Sequence, residues 1–394
     1  MLSLPITRTF WYSDYEEGVF LFWYGQAPKK ETSSRIAVIA GDGVGPEVVE
    51  AGMDILHMVQ TLDPHIQLQF DKYPWGSDYF RAHGQMLPSD GIKTLAAYDA
   101  IYFGAVGDPT LPLHVPIWGL ILPIRQAFDA YVNLRPVMTL DPNDAASSIH
   151  MLIVRENTEG EYVGQGGRLY RGTPRETAIQ LSSFSREGVA RVCRYALQLA
   201  RISHLTCTSV TKSNALNYTG VLWDEIFEEV GRDYPDVERT SMLVDAAAMV
   251  MVKNPQRFEV MVTSNLFGDI LSDLGAGLVG GLGLAPSANF NPSHLTPGVF
   301  EPVHGSAPDI AGKGLANPMG AILSAAMMLG YLGHSRWEDW IFEAVRRALT
   351  HPNARTPDLG GTANTPMVTQ QVGEALQQVF VEQVGTSPTD VSKP

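Results

Sequence analysis

Short apolar runs alternate with segments of helical spacing along most of this 394-residue chain. Residues 36–40 form the first such run, and residues 47–62 then repeat apolar side chains at helical intervals. Further strand-like runs cover residues 100–103, 150–154, 203–210 and 259–263, and further helices are expected at residues 185–201, 218–229, 269–274, 316–332 and 336–350. This alternation predicts an α/β fold with a largely parallel sheet, built as two lobes from interleaved segments.

Composition narrows the function classes without naming one. Hydrophobic residues make up 45% of the chain and charged residues 18%, which is ordinary for a globular protein with a sizeable core. The formal net charge of -14 argues against a nucleic-acid binder, and no segment is apolar enough for a membrane span. Cys193 and Cys207 are too few for a disulfide framework or a zinc site, so a reducing compartment is the simple interpretation.

Residues 1–34 differ from the rest of the chain. Aromatic side chains such as Trp11, Phe22 and Tyr24 crowd there beside acidic ones, which fits neither a signal peptide nor a transit peptide. We therefore expect an N-terminal extension without an assigned role, disordered in the simplest case. The expected location is cytoplasmic, and this unusual segment leaves a mitochondrial one open.

Three arginines, Arg125, Arg135 and Arg155, lie in or beside apolar sequence rather than on charged surface helices. The guanidinium group is a rigid fork that binds a carboxylate through two parallel hydrogen bonds. Three of them in one cleft would bind a dicarboxylic acid. Any one of them alone would more often form a structural salt bridge.

Two aspartates four residues apart, Asp269 and Asp273, would share one face of a helix. A cation between them would relieve their repulsion, and oxygen ligands without nearby Cys or His favour Mg²⁺ or Mn²⁺. Asp245 follows the apolar run 242–244 and is a candidate third ligand. The alternative is a solvated helix face.

Other polar side chains stand where strands or turns would place them at a cleft. Lys212 follows a strand-like run and could act as a base, and Tyr162 is a candidate proton donor. In the turn-rich segment 304–309, Asp309 could bind the ribose of NAD and would repel the 2′-phosphate of NADP. The glycines of segment 41–45 lack the rest of a Rossmann fingerprint, so we interpret them as a tight strand-to-helix turn.

Taken together, these motifs resemble those of the β-decarboxylating dehydrogenases, the isocitrate/isopropylmalate dehydrogenase family. The likeness runs from about Arg35 to the end of the chain and rests on residues 40–47 (AGDGVGPE), 133–136 (NLRP), 154–157 (VREN), 265–269 (NLFGD), 301–309 (EPVHGSAPD) and 317–318 (NP). It implies a bilobal α/β isopropylmalate-dehydrogenase-like fold with a large mixed, mostly parallel sheet, not a standard Rossmann domain. The large, NAD-binding lobe would be residues 35–130 plus 281–394. Residues 131–280 would form a small lobe for dimerisation, metal binding and catalysis.

The resemblance also implies a role for each matching side chain. The implied catalytic pair is Tyr162 and Lys212, and the implied substrate clamp is Arg125, Arg135 and Arg155. The implied metal ligands are Asp245, Asp269 and Asp273. The implied NAD-binding residues are His304, Gly305, Ser306, Ala307, Asp309, Asn317 and Asn214.

The same resemblance implies the cofactors, the partners and the reaction. The cofactors would be NAD and Mg²⁺ or Mn²⁺, with room for a monovalent cation such as K⁺. The partners would be a small 2-hydroxy acid and a second copy of the chain, without nucleic acid or membrane. In the implied homodimer, Lys212 and Asp245 serve the neighbouring subunit's site. The reaction would be oxidation with decarboxylation, in which Lys212 helps remove the hydroxyl proton and Tyr162 protonates the enol carbon.

The segment before the first clamp arginine separates the subfamilies. Gly119 and Ile121 stand where isocitrate enzymes carry a serine and an asparagine. Trp118 and the later segment 285–289 (APSAN) are similar to the tartrate and D-malate group. A 2-hydroxy dicarboxylic acid of the tartrate or D-malate type is therefore the expected substrate.

Two departures from that group and two alternatives qualify this expectation. Leu120 replaces a serine usual in the group and Pro123 replaces a lysine, so we expect a less polar pocket that suits a more apolar malate. Ile121 and Leu122 would also suit a 3-isopropylmalate dehydrogenase. A non-catalytic regulatory subunit of a related dehydrogenase commonly lacks a clamp arginine, the lysine or a metal aspartate, and all of these are present here.

Overall fold

The structure, a computed structural model, describes Phe22, Tyr24, Gly25, residues 33–142 and residues 148–385. The strands in this part of the chain are β1 (Ser34–Gly41), β2 (Leu68–Lys72), β3 (Ala100–Ala105), β4 (Val132–Met138), β5 (His150–Glu156), β6 (Gly166–Leu169), β7 (Thr177–Gln180), β8 (Cys207–Thr211), β9 (Arg239–Leu243), β10 (Val260–Thr263), β11 (Pro286–Phe290) and β12 (Gly298–Pro302). The helices are α1 (Gly45–Leu62), α2 (Ser77–His83), α3 (Gly91–Leu95), α4 (His114–Pro116), α5 (Leu122–Ala127), α6 (Arg186–Ile202), α7 (Thr219–Gly231), α8 (Val244–Lys253), α9 (Asn265–Leu278), α10 (Met319–Tyr331), α11 (Ser335–Ala348) and α12 (Thr365–Gly385). A π-helical turn, Ile117–Ile121, joins α4 to α5.

Ten of the described strands form one sheet in the order β2-β1-β3-β12-β11-β4-β5-β10-β8-β9. The neighbours β2, β1, β3 and β12 are parallel, as are β5, β10, β8 and β9. Strands β11 and β4 join these two groups and pair antiparallel with their neighbours. The predicted large mixed, mostly parallel sheet is therefore confirmed. The expected lobe boundaries stay a prediction, because the sheet is continuous through both lobes.

Strand β1 shows why these strands read as unbroken apolar runs. Ile36 and Val38 pack into the core beneath α1 and α10, while Ala37 and Ile39 pack into a second core on the opposite face of the sheet. A strand that is covered on both faces has no position for a polar side chain. The same reason explains why the sequence predicts β3, β5 and β10 well.

Several elements differ from the sequence-based prediction. The strand expected at residues 203–210 begins only at Cys207, because residues 203–206 form the turn after α6. The helix expected at residues 269–274 is longer, Asn265–Leu278, and the one expected from residue 316 begins at Met319. Helix α12 was not predicted, although it buries Val368, Val372, Leu376 and Val379 along one face.

The N-terminal extension is partly packed. Tyr24 is 5% exposed, and the Phe22 ring lies 5.4 Å from the ring of Phe342. Phe22 and Tyr24 therefore pack against the rest of the chain, and the expectation for the extension otherwise falls on residues outside the described part. Among the described residues, no helix is long and apolar enough to cross a membrane.

Candidate active site

One cavity of about 460 Å³ is lined by seven of the fifteen predicted site residues. The carboxyl ends of the parallel neighbours β3 and β12 form one side, and the helical stretch from α4 to α5 forms another. Ligands of open α/β sheets bind at such carboxyl ends. The predicted residues that line the cavity are Arg125, Arg135, Arg155, Tyr162, Asp269, His304 and Gly305.

The three arginines come together as the sequence analysis proposed. Arg125 lies on α5, Arg135 on β4 and Arg155 near the end of β5, and they are 7%, 6% and 2% exposed. In the antiparallel β4–β5 pair Arg135 lies opposite Ile153, so Arg155 is its diagonal neighbour on the same face. Three buried guanidinium groups therefore line one wall of the cavity.

Helix α9 supplies the partners of two of these arginines. Arg155 donates from Nε and Nη2 to Asn265 Oδ1 over 3.0 and 2.7 Å, and from Nη1 to Asp269 Oδ1. Arg135 donates from Nη1 to Ser272 Oγ over 2.7 Å and to Asp269 Oδ1 over 3.3 Å. In the free protein the Asp269 carboxylate is therefore a shared counter-ion for two clamp arginines.

Arg125 has a counter-ion of its own, Glu301 at the end of β12. Glu301 Oε1 accepts from Arg125 Nη2 and from Asn289 Nδ2. Asn289 Oδ1 in turn accepts from Asn157 Nδ2 and Asn133 Nδ2. In the sequence, Glu301 stands out only as the first residue of the motif 301–309. A buried arginine requires a carboxylate, and that requirement is the signal that could have assigned this role.

Two guanidinium groups keep an unused donor. Nε of Arg125 and Nε of Arg135 are buried and have no hydrogen-bond partner in the described part of the chain. A buried donor of a charged group that lacks a partner costs free energy. In the free protein these two donors therefore offset part of the stability that the other hydrogen bonds of the clamp provide.

The ionisation of the site follows from burial and neighbouring charge. Burial lowers the pKa of Arg135 and of Arg155. Burial also acts to raise the pKa of Asp269, but the nearby guanidinium groups outweigh it and hold that pKa below its ordinary value. Burial raises the pKa of Asp273, and the charge of Asp269 adds to this effect. Asp269 is therefore the firmly ionised carboxylate of the pair.

A glycine within the motif makes room for the clamp. A Cβ on Gly268 would lie 2.6 Å from both Cβ and Cγ of Arg155, closer than side-chain contacts allow. Helix α9 can therefore approach β5 closely enough for Asn265 and Asp269 to reach the guanidinium. Packing thus explains the glycine of the segment 265–269.

The metal-ligand prediction is met only in part by one chain. Asp269 and Asp273 lie four apart on α9, with side chains 38% and 53% exposed. Asp245 lies in the first turn of α8. In the described part of the chain, no group of three or more His, Cys, Asp or Glu side chains is placed to hold a metal ion. Metal binding by Asp245, Asp269 and Asp273 therefore stays a prediction.

Lys212, Asn214 and Asp245 lie outside the cavity lining. Lys212 Nζ donates to Asp245 Oδ1 over 2.6 Å, and this hydrogen bond lowers the pKa of the Asp245 carboxyl. Tyr162, the other member of the predicted catalytic pair, lines the cavity and donates to Asp269 Oδ2 over 3.3 Å. Burial raises the pKa of Tyr162, and Asp269 adds to the effect. One chain therefore does not unite the catalytic pair.

The predicted NAD-binding segment borders the cavity. His304 and Gly305 line it, and Nε2 of His304 is buried without a partner. Burial lowers the pKa of His304, so its ring is neutral near pH 7 and can contact an uncharged base. Asn317 Nδ2 donates to Asp358 Oδ2 over 3.1 Å, and Asn317 Oδ1 accepts from the Met319 amide. This segment offers neutral polar contacts for a nucleotide.

The glycine-rich turn after β1 supports the same segment. Gly43 has φ +60, and a Cβ there would lie 1.9 Å from the carbonyl oxygen of Ser306. The Val44 amide donates to that oxygen over 2.8 Å. The interpretation as a tight strand-to-helix turn is therefore confirmed. Asp42, to which the sequence analysis gave no role, accepts from the Gly107 amide and ties the turn to β3.

The apolar wall of the cavity uses other residues than expected. Leu120 is fully buried in the core beneath the sheet, and Pro123 is not part of the lining. The expected less polar pocket was therefore assigned to the wrong residues, because Leu120 in the π-helical turn points into the core. The wall consists of Leu113, Ile117, Trp118, Ile121 and Leu122, together with His114.

Comparison with known proteins shows to which protein family the chain belongs. The family model described as isocitrate/isopropylmalate dehydrogenase matches residues 35–376. The chain is similar to a probable tartrate dehydrogenase/decarboxylase of Agrobacterium vitis, with 45% identity over 349 residues, 87% of this chain and 97% of the relative. It is also similar to the D-malate dehydrogenase [decarboxylating] of Escherichia coli (strain K12), with 44% identity over 361 residues, 88% of this chain and 98% of the relative.

Solved structures give the same result. An isocitrate dehydrogenase from Methylococcus capsulatus superposes with a TM-score of 0.80 at 36% sequence identity, covering 88% of this chain and 100% of that one. The family match begins at residue 35.

Proposed function

The chain belongs to the isocitrate/isopropylmalate dehydrogenase family, and on this basis we propose that it oxidises and decarboxylates a 2-hydroxy dicarboxylic acid of the tartrate or D-malate type, with NAD and Mg²⁺ or Mn²⁺ as cofactors. It is an oxidoreductase of the decarboxylating dehydrogenase type. The observation that supports the substrate class is the cluster of three buried arginines that line one cavity. Monovalent cations such as K⁺ would be an additional requirement.

The chain's own residues divide the work of the reaction. The clamp arginines bind and orient the carboxylates. Lys212 takes the proton of the substrate hydroxyl, and the protonated Tyr162 phenol later gives a proton to the enol carbon. A divalent cation held by Asp269, Asp273 and an Asp245 would polarise the hydroxyl and stabilise the enolate. NAD, which accepts the hydride, would be held by segment 304–309, Asn317 and Asn214.

The proposed assembly is a homodimer with shared active sites. Lys212 and Asp245 lie together but outside the cavity that contains Tyr162 and Asp269, so one chain lacks a complete catalytic set. A second copy could supply the Lys212–Asp245 pair. Exposed apolar side chains on the helices that carry Asp245 and Asp269 offer a surface for it, namely Met249 and Val252 on α8 and Ile270 on α9, which are 52%, 59% and 56% exposed.

The apolar side chains of the cavity wall also fit a second candidate substrate. Ile117 and Trp118 are 46% and 39% exposed at the cavity, and the Trp118 ring packs on Gly164. Such a wall suits an unsubstituted malate and also an alkylated one. A 3-isopropylmalate dehydrogenase therefore remains the second candidate function. The regulatory-subunit alternative has no support, because every clamp arginine is in place.

The first test is NADH formation by the purified protein with Mn²⁺ across D-malate, L-tartrate, meso-tartrate, 3-isopropylmalate and isocitrate. We expect turnover of malate or tartrate that is lost on chelation and in Lys212→Ala. Preferential turnover of 3-isopropylmalate would establish the second candidate. If folded, metal-loaded protein is silent on all five acids, the proposed function is wrong.

Shared active sites have a separate test. Lys212→Ala and Asp269→Asn copies are each expected to be inactive. Co-expressed copies would form mixed dimers in which one of the two sites has neither substitution, and activity should reappear. Continued inactivity of verified mixed dimers would show that each chain completes its own site.

A further inference from the structure

Tyr24 is inserted into an aromatic cluster of the large lobe. Its ring meets the rings of Phe290 and Tyr331 edge-on, at 5.4 and 6.2 Å between centroids. The next residue, Gly25, has φ +94, and a Cβ there would lie 2.2 Å from the Pro292 carbonyl oxygen. The chain therefore passes so close to Pro292 that only glycine fits at position 25.

The Tyr24 side chain ends at a buried carboxyl group. Glu338 on α11 is 2% exposed, and its Oε1 accepts a hydrogen bond from the Tyr24 hydroxyl. Its other oxygen occupies the space that a side chain on Gly330 would fill. A carboxyl buried among apolar side chains needs a donor. Tyr24 supplies it, so ring packing and the polar bond agree on the same docking position.

The docked segment contacts a loop that reaches the substrate clamp. His294 Nε2 donates to the Tyr24 carbonyl oxygen over 2.7 Å, and the His294 ring stacks on Tyr331 at 4.2 Å. The same loop holds the turn 128–130. Asn291 Nδ2 donates to the Asp129 carbonyl oxygen over 3.2 Å, and Thr296 Oγ1 donates to the Phe128 carbonyl oxygen over 2.7 Å.

The turn 128–130 lies directly behind Arg125. The Ala130 amide donates to the Arg125 carbonyl oxygen over 2.9 Å. The Ala130 carbonyl oxygen accepts from Asn157 Nδ2, and Asn157 Oδ1 accepts from the Arg125 guanidinium. Asp129 has φ +46, a strained value for a residue with a side chain, so the turn depends on its surroundings to hold its shape.

We propose that the N-terminal segment around Tyr24 is a positioning element of the substrate site. By docking on Glu338 and the 290–296 loop, it fixes the strained turn 128–130 and with it the placement of Arg125. This role rests on the proposed function for the identity of the substrate.

The experiment compares Tyr24→Ala and Tyr24→Phe with a matched control, Tyr234→Ala. Tyr234 is 7% exposed, against 5% for Tyr24, and packs beside Arg201, away from the loop and the cavity. Four quantities are measured on the full chain. These are the melting temperature, the KM for D-malate, the KM for NAD, and the Kd for D-malate with Mn²⁺ by titration calorimetry.

Both alanine variants should melt at a lower temperature, but only Tyr24→Ala should weaken malate binding. We expect its KM and Kd for D-malate to rise roughly fivefold, a change of about 1 kcal/mol, with the KM for NAD unchanged. Tyr24→Phe should show a smaller rise in the same quantities. Added 4-methylphenol, which can refill the vacated site and donate to Glu338, should raise the melting temperature and restore malate binding in Tyr24→Ala alone.

Two results would overturn the proposal. If Tyr24→Ala lowers only the melting temperature, as Tyr234→Ala does, the segment is packing without a positioning role. If neither the melting temperature nor the affinity for D-malate changes in Tyr24→Ala, the segment does not dock as described. An inactive wild-type protein would refute the proposed function instead. In that case the calorimetric Kd, which needs no turnover, still reports on the clamp, and equal malate affinity in wild type and Tyr24→Ala would refute the positioning role.

Discussion

Replacing Arg155 with lysine keeps the positive charge of the clamp and removes its fork. The Arg155 side chain is only 3% exposed, and it serves Asn265 Oδ1 through two nitrogens and Asp269 Oδ1 through the third. A lysine ammonium is a single point that cannot hold the same positions at once. The substitution therefore removes at least one charged hydrogen bond, either to α9 or to the substrate.

The size of the effect follows from that loss. A hydrogen bond to a charged group contributes about 1.5–3 kcal/mol, so kcat/KM for the hydroxy acid should fall roughly 10- to 100-fold in Arg155→Lys. The KM for NAD should stay the same, because Arg155 is not part of the 304–309 segment. Initial rates of NADH formation at varied D-malate and at varied NAD separate the two constants.

The matched control is Arg186→Lys, at the start of α6. That arginine pairs with Glu229 on the surface, and its side chain is 56% exposed. An exposed pair contributes about 0–1 kcal/mol, so the control should behave as wild type. Equal kcat/KM values for Arg155→Lys, Arg186→Lys and wild type would refute the clamp, since no substrate carboxylate would then depend on the Arg155 fork.

Three further changes probe the same site. Gly268→Ala should lower kcat/KM as strongly as Arg155→Lys, because the new Cβ would displace the arginine; wild-type kinetics would contradict the close α9–β5 approach. Glu301→Gln leaves Arg125 without its buried counter-ion, so urea unfolding should show a loss of about 3 kcal/mol, partly recovered with excess D-malate; unchanged stability would mean that the pair is not buried. Burial raises the pKa of Tyr162 above its ordinary value of 10.0, so the phenol stays protonated and its titration should not lower kcat up to about pH 9.5. An alkaline loss of kcat below that pH that disappears in Tyr162→Phe would contradict this assignment.

The strands that the sequence predicts are those whose side chains are buried on both faces of the sheet. Strands β1, β3, β5 and β10 are covered on both faces, and that coverage makes each an unbroken apolar run in the sequence. Strand β4 was not predicted, and Pro136 within it shows why. A proline fits there only because β11 pairs with residues 132–134 and ends before it. Pairing between distant segments leaves no such mark in a local pattern.

The candidate site was predictable where one chain determines it. Isolated arginines in apolar sequence indicated a buried anion site, and Arg125, Arg135 and Arg155 do share a cavity. Their partners Glu301 and Asn265 were missed, because a counter-ion is defined by proximity in space. Lys212 and Asp245 form a pair of their own, and no local pattern indicates whether such a pair serves its own chain or another.

In the free protein, Asp269 already holds the contacts that binding of a cation and of the substrate would exchange. Asp269 neutralises Arg135 and Arg155 in the free protein, and the same carboxylate is a predicted metal ligand. When Asp269 turns to a cation, the two guanidinium groups lose part of their counter-charge and become stronger sites for a substrate carboxylate. A bound carboxylate in turn releases Asp269 from the arginines. Because each event removes the competitor of the other, cation and hydroxy acid should bind with positive coupling, and by linkage the coupling is equal in both directions.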